Sequence, residues 1–146
     1  MHSHSRAGMA IAALRHGLLP ISMNATLFFD DIAYHDFEGP SLYLEERDRL
    51  RKSLGTKRAM ILRNHGLLTV GRTVAEAFIR LYRLEQACRI QLDAAAAGEL
   101  NLLDDKIARK SGHDTSRFME SEAAYGQLEF NALMRKLDKT DNSYRH

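Results

Sequence analysis

Met60-Ile-Leu-Arg-Asn-His-Gly-Leu-Leu-Thr-Val-Gly71 is the stretch on which the reading of this chain turns. One apolar run enters it and a second leaves it. Between them sit Asn64, His65 and Gly66, a polar turn containing glycine. The pattern predicts a β-hairpin with an imidazole at its tip. Ala59 to Leu62 is continuously apolar, as expected of a strand covered on both faces. Directly after the hairpin, Thr73 and Glu76 form a T-x-x-E capping box. The helix it opens is predicted to run to Ala97 and stop at Gly98, about 24 residues or roughly 36 Å. Ala77, Leu81, Leu84 and Cys88 mark its apolar stripe, and Glu76–Arg80 and Glu85–Arg89 are i,i+4 pairs in the favourable order.

Upstream, His2 and His4 are two residues apart, so an extended strand points both imidazoles to one face. Ser5 stands where a helix N-cap would. The pattern predicts a strand end at about 1–4 and a helix at about 6–16, with Gly17 and Pro20 as its stop. Leu27-Phe28-Phe29 is an apolar knot of no clear conformation. Ile32 to Phe37 reads as a short strand ended by Glu38-Gly39-Pro40. Leu44 to Leu54 reads as a helix with Leu44, Leu50 and Leu54 inward. Downstream, Leu102 to Lys110 is predicted as a short helix closed by Ser111-Gly112. Phe118 to Leu137 is predicted as a helix weakened at Gly126. Asp138 to His146 reads as a polar tail.

The bulk numbers narrow the class. The 146 residues suffice for one domain with a real core. Lys and Arg number 21 against 19 Asp and Glu, with no single-sign block, so there is no electrostatic footprint for nucleic acid. No apolar run approaches the ~20 residues of a membrane span. Met9 to Leu14 is interrupted by Arg15-His16, which argues against a signal peptide. The single cysteine, Cys88, excludes an internal disulfide and gives a cytoplasmic expectation.

The residues that could carry chemistry are His2, His4 and His65. A strand H-x-H supplies two imidazoles on one side, and a turn histidine from a neighbouring hairpin closes a facial set. Three neutral imidazoles with an open position describe a catalytic zinc site. From spacing alone a second reading stands beside it, an ordinary exposed end that happens to read His-Ser-His. Arg63 and Asn64 flank His65 and fit either an orienting or a scaffold role. His35 reads as packing or surface, and His16 as a residue placed at a helix C-terminal dipole. Asp30-Asp31 and Asp104-Asp105 read as loop and helix-end carboxylates, and Glu120 and Glu122 as polar-face residues. Cys88 reads as a buried small hydrophobe. Tyr125 and Tyr144 are candidates to reach a neighbouring subunit.

Three separated segments carry a resemblance. Met1-His-Ser-His-Ser-Arg-Ala-Gly8 resembles the H-T-H-S-R-A-G segment of the class II aldolase/adducin family. Ile32-Ala-Tyr-His-Asp-Phe-Glu-Gly39 is similar to a second family segment. Ile61 to Gly71, followed by Thr73-Val-Ala-Glu-Ala-Phe78, is similar to a third. The ending, Ala132 to Asp138 with Tyr144-Arg145, also resembles how members close. The resemblance implies an α/β fold, a three-layer α/β/α sandwich with a mostly antiparallel central sheet. One partial class II aldolase/adducin-like domain then spans residues 1–146. It also implies that His2, His4 and His65 bind a divalent metal, zinc being the usual ion. The implied activity is a metal-dependent carbonyl lyase acting on a small hydroxy-carbonyl or sugar-phosphate substrate. The implied assembly is a homo-oligomer with active sites between protomers. The alternative is a non-catalytic adducin-like module whose partner is the actin–spectrin cytoskeleton or a sister chain.

Members usually carry about one further half-domain before H-x-H, with phosphate-binding loops and an acidic residue used as acid/base. No position here matches those. The expectation drawn from this is a truncated gene model, with a split protein or a degenerate paralogue as alternatives. General acid–base help is typically worth about 10²–10⁴-fold, so slow turnover is expected of such a piece.

Overall fold

Hydrophobic patterning sorts the chain into one sheet with helices on both faces. The computed structural model describes residues 1–39, 45–120 and 125–145. Its strands are β1 (His2–Ser3), β2 (Ile32–His35), β3 (Ala59–Leu62) and β4 (Gly66–Thr69). They lie in the order β1-β4-β3-β2. β1 and β3 are both antiparallel to β4, while β2 runs parallel to β3. The sheet is therefore mixed and mostly antiparallel. β1, β2 and β3 run in one direction, so their carboxyl ends share a rim.

The helices are α1 (Arg6–Ala12), α2 (Met23–Thr26), α3 (Glu46–Leu54), α4 (Val74–Ala97), α5 (Asp105–Glu120) and α6 (Gln127–Asp138), followed by a 3₁₀ turn at Ser143–Arg145. Alternation along the strands decides which helix covers which face. Ile32, Ala59, Ile61 and Leu67 point to one side and meet Ile11 of α1 with Leu84 and Cys88 of α4. Ala33, Met60 and Leu62 point to the other and meet Leu50 and Leu54 of α3. The result is the α/β/α layering that the resemblance implies. Leu44, also expected inward, lies outside the described residues.

β3 matches its predicted bounds and is buried along its whole length. α4 starts and stops where expected, with Thr73 Oγ1 accepting the Glu76 N–H at 3.1 Å. The capping box is shifted by one residue. Glu76 accepts the N–H of Arg72, at 2.9 Å, instead of that of Thr73.

Four expectations need correction. α1 ends at Ala12, four residues before the predicted stop, where the hairpin turn described below takes the Ala12 carbonyl and those of Leu14 and Arg15 just beyond it. His16 is therefore exposed beyond the helix and caps nothing. The short helix α2, capped by Ser22, precedes the apolar knot, in which Phe28 is buried. α5 does not close at Ser111-Gly112 but runs through it. Gly112 is there for close approach: a Cβ at this position would sit 2.2 Å from the Thr26 carbonyl oxygen. Ser111 Oγ meets Thr26 Oγ1 at 3.0 Å in the same contact. Finally, the predicted helix from Phe118 to Leu137 is two helices. Gly126, at φ +79°, stands at the N-cap just before α6, and its missing side chain leaves room for Ile79.

Candidate metal centre

The shared rim gathers the ends of β1, β2 and β3, and the three predicted histidines meet there. Residues 63–65 close the β3–β4 hairpin as a three-residue loop, with Leu62 opposite Gly66. The left-handed residue of the loop is Asn64, at φ +57°, a conformation asparagine tolerates better than most side chains. Gly66 serves a different need. A Cβ there would lie 2.4 Å from the Ser3 carbonyl oxygen, 3.2 Å from His4 Cδ2 and 3.4 Å from His2 Cε1. The glycine lets β1 and its two imidazoles close over the start of β4.

The loop is pinned from three sides. Arg63 donates its backbone N–H to the His35 carbonyl at 2.8 Å, and Asn64 donates to the Ala12 carbonyl at 3.0 Å. The Arg63 guanidinium donates to the carbonyls of Leu14 at 2.8 Å and Arg15 at 2.9 Å. It also lies over the Tyr34 ring, 4.4 Å from the centroid. Arg63 is thus a scaffold residue that ties the turn to the end of α1 and to β2.

Ring centroids are 4.5 Å apart for His2–His4, 4.9 Å for His2–His65 and 4.7 Å for His4–His65. One ring nitrogen from each lies within 4.8 Å of the others. His2 Nδ1 is 2.8 Å from the Leu67 carbonyl oxygen. A carbonyl only accepts, so Nδ1 carries the hydrogen and the lone pair of His2 sits on Nε2. That Nε2 faces His4 Nε2 at 2.8 Å. Burial lowers the pKa of His65, and the neighbouring His2 and His4 rings lower it further, against an opposing pull from Glu46. His65 is thereby held toward the neutral, lone-pair form that a cation needs.

The remaining candidates lie elsewhere. His35 is buried against α3, with Nδ1 2.9 Å from Ser53 Oγ. Asp30 and Asp31 form ion pairs with Arg109 and Arg58, each at 2.5 Å. Asp104 caps the N–H of Lys106 at 2.9 Å. Tyr125 lies under the Arg80 guanidinium of its own chain, and Tyr144 bonds to Asp138 at 2.5 Å. Cys88 is buried, as expected. Glu122 and the side chain of Glu120 lie outside the described residues.

Two neighbours of the site have no functional signature in the sequence. Phe37, just beyond β2, stands edge-on to His65 with centroids 6.3 Å apart and is half exposed, forming an apolar wall. Ser5, next to His4, donates its hydroxyl hydrogen to Glu85 of α4. Neither carries a local signal, since a strand-end aromatic and an N-cap serine each have an ordinary explanation.

Comparison with known proteins identifies the family and the fold. The family model described as Class II Aldolase and Adducin N-terminal domain matches residues 1–92. Human beta-adducin is 37% identical over 161 residues, a match covering 100% of this chain and 22% of that protein. The crystal structure of an aldolase II superfamily protein from Pseudomonas syringae superposes with a TM-score of 0.84 at 41% identity, covering 100% of this chain and 58% of that one. L-fuculose 1-phosphate aldolase from Glaciozyma antarctica PI12 superposes with a TM-score of 0.66 at 34% identity, covering 77% of this chain and 42% of that one. The chain spans little more than half the length of two bacterial relatives that it matches, 57% and 56%. With all three histidines inside the matched residues, the chain belongs to the class II aldolase and adducin family.

Proposed function

We propose that this chain carries the metal centre of a carbonyl lyase of the class II aldolase type, acting on a small hydroxy-carbonyl or sugar-phosphate substrate. The observation that carries the reading is the convergence of His2, His4 and His65, 63 positions apart at the extremes, on one point of the rim. The donor set fits a divalent ion of the zinc type. Imidazole nitrogens suit zinc, and His2, His4 and His65 would hold it. One ring nitrogen of each lies within 4.8 Å of the others.

A bound divalent ion supplies Lewis acidity that polarises a substrate carbonyl. The protein's own residues prepare the position. His2 donates its Nδ1–H to Leu67, which fixes the ring plane and leaves Nε2 as the inward lone pair. Arg63 and Asn64 hold the loop that presents His65. Phe37 narrows one side of the approach and keeps it apolar. The fuculose-phosphate aldolase neighbour supports a phosphorylated hydroxy-carbonyl as the first substrate class to try.

The test is retro-aldol cleavage of L-fuculose 1-phosphate and a panel of related sugar phosphates by zinc-loaded protein. The reading expects carbonyl product that disappears in His65→Ala and after chelation. Folded, zinc-loaded protein that cleaves none of the panel overturns the lyase reading. The adducin relatives favour a second reading, a binding module, which then predicts co-sedimentation with actin filaments.

A further inference from the structure

We propose that Glu85 is a positioning residue for the histidine centre, acting on His4 through the Ser5 hydroxyl; this rests on the metal-centre reading above. In sequence, Glu85 is explained by its helical pairing with Arg89, and that pair is present at 2.9 Å. A surface pair of this kind keeps both partners in water and is worth little. Here the two partners differ. The Arg89 side chain is 60% exposed, whereas that of Glu85 is 14% exposed. Glu85 is turned toward α1, and its second carboxylate oxygen accepts the Ser5 hydroxyl hydrogen. A carboxylate brought that far out of water needs charge-assisted partners, and Ser5 and Arg89 are the two it has among the described residues.

The consequence falls on His4. His4 and Ser5 alone link the end of β1 to the start of α1, and His4 itself is exposed. Its placement depends on its neighbours. Ser5 accepts the Gly8 N–H at 3.3 Å and so caps α1. The Ser5 N–H donates to Ser3 Oγ at 3.1 Å. Ser5 is therefore fixed from three directions, and only Glu85 comes from an element remote in sequence, 80 residues on. That element is α4, whose Leu84, Ala87 and Cys88 are buried beside Glu85. The long helix supplies a rigid reference, and the Ser5–Glu85 bond transmits it to the residue next to His4. His2 has the equivalent anchor in Leu67, and His65 has it in Arg63 and Asn64. Each of the three imidazoles then has its own support.

The experiment measures zinc affinity by competition with a chromogenic chelator, and the cobalt ligand-field spectrum, in the 146-residue chain. Outer-shell partners of metal ligands are typically worth about 10–100-fold in affinity. Ser5→Ala and Glu85→Ala act one link beyond such partners and are each expected to weaken zinc binding by up to about tenfold and to perturb the cobalt spectrum. The double variant is expected to be no weaker than the worse single variant, because both break one link. Glu85→Gln, whose amide oxygen still accepts from Ser5, is expected to recover part of the loss. It also serves if Glu85→Ala fails to fold. A purely structural role would lower the melting temperature of the metal-free protein and leave affinity and spectrum unchanged; that result overturns the proposal. So do fully additive losses in the double variant. If wild type binds zinc through His65 while the Ser5 and Glu85 variants bind as well as wild type, this inference alone fails. If wild type binds no zinc, the metal-centre reading fails and takes this one with it.

Discussion

Replacing Gly66 with alanine probes the closest contact in the centre. The added methyl would lie 2.4 Å from the Ser3 carbonyl oxygen, where ordinary contacts begin at 3.4 Å. The obstructing atom is backbone, so no side-chain rotation relieves it. β1 must withdraw by about 1 Å, or β4 must bend, and overpacking of this kind typically costs about 1–3 kcal/mol. The opposite expectation is also quantitative. Gly66 has no positive φ. In an unobstructed strand, alanine would therefore stabilise the protein by about 0.4–1 kcal/mol through the unfolded chain. The sign of the change thus reports the clash. At roughly 2–4 °C per kcal/mol for a chain of this size, the melting temperature is expected to fall by about 2–12 °C. The metal affinity should suffer more than the stability. The retreating strand carries both His2 and His4 away from His65, and coordination tolerates about ±0.2 Å in ligand distance. A loss of about a hundredfold or more in zinc affinity is expected, measured by chelator competition beside thermal unfolding. A variant that melts at or above wild type and binds zinc equally well would refute the reasoning.

Three further outcomes follow from other parts of the molecule. Gly112→Ala gains about 1 kcal/mol of helix propensity, yet its methyl meets the Thr26 carbonyl at 2.2 Å, so net destabilisation in a denaturant titration is expected. Burial raises the pKa of Glu76, but the Arg80 guanidinium and the Arg72 N–H outweigh it and hold the carboxyl below its ordinary 4.5. Its folded pKa therefore lies below the unfolded one, so its contribution is complete above the ordinary value and is lost as pH falls through the folded one. Glu76→Gln should flatten the acid limb of a stability–pH curve, and an unchanged limb would contradict the assignment. Burial pushes the Cys88 thiol up to about 12. A thiol reagent at about pH 8 should leave it unmodified in folded protein and label it fully in denaturant; rapid labelling of the native chain would show that α4 is not packed as described.

The parts of the fold legible in the sequence are those with local causes. A four-residue apolar run gave β3, and a threonine cap with a glutamate three residues on gave the start of α4. H-x-H placed two imidazoles together through strand periodicity alone. The third depended on topology: β1 had to lie beside β4, and that neighbourhood was supplied by the family resemblance, not by spacing. The misses have a common physical root. A glycine that ends a helix and a glycine that lets two backbones touch look alike in sequence, so Gly112 reads as a stop. The early end of α1 reflects carbonyls claimed by Arg63 and Asn64, some 50 positions away. Glu85 likewise shows its near partner in sequence and hides its far one.

Function here depends on whether His2, His4 and His65 grip one cation together. The direct measurement is the metal content of wild type and the three single His→Ala variants, each after equilibrium dialysis against trace zinc. One zinc per wild-type chain, with retention collapsing in every variant while the fold persists, is the predicted result. Folded wild-type protein without zinc, or variants that retain as much as wild type, would contradict it.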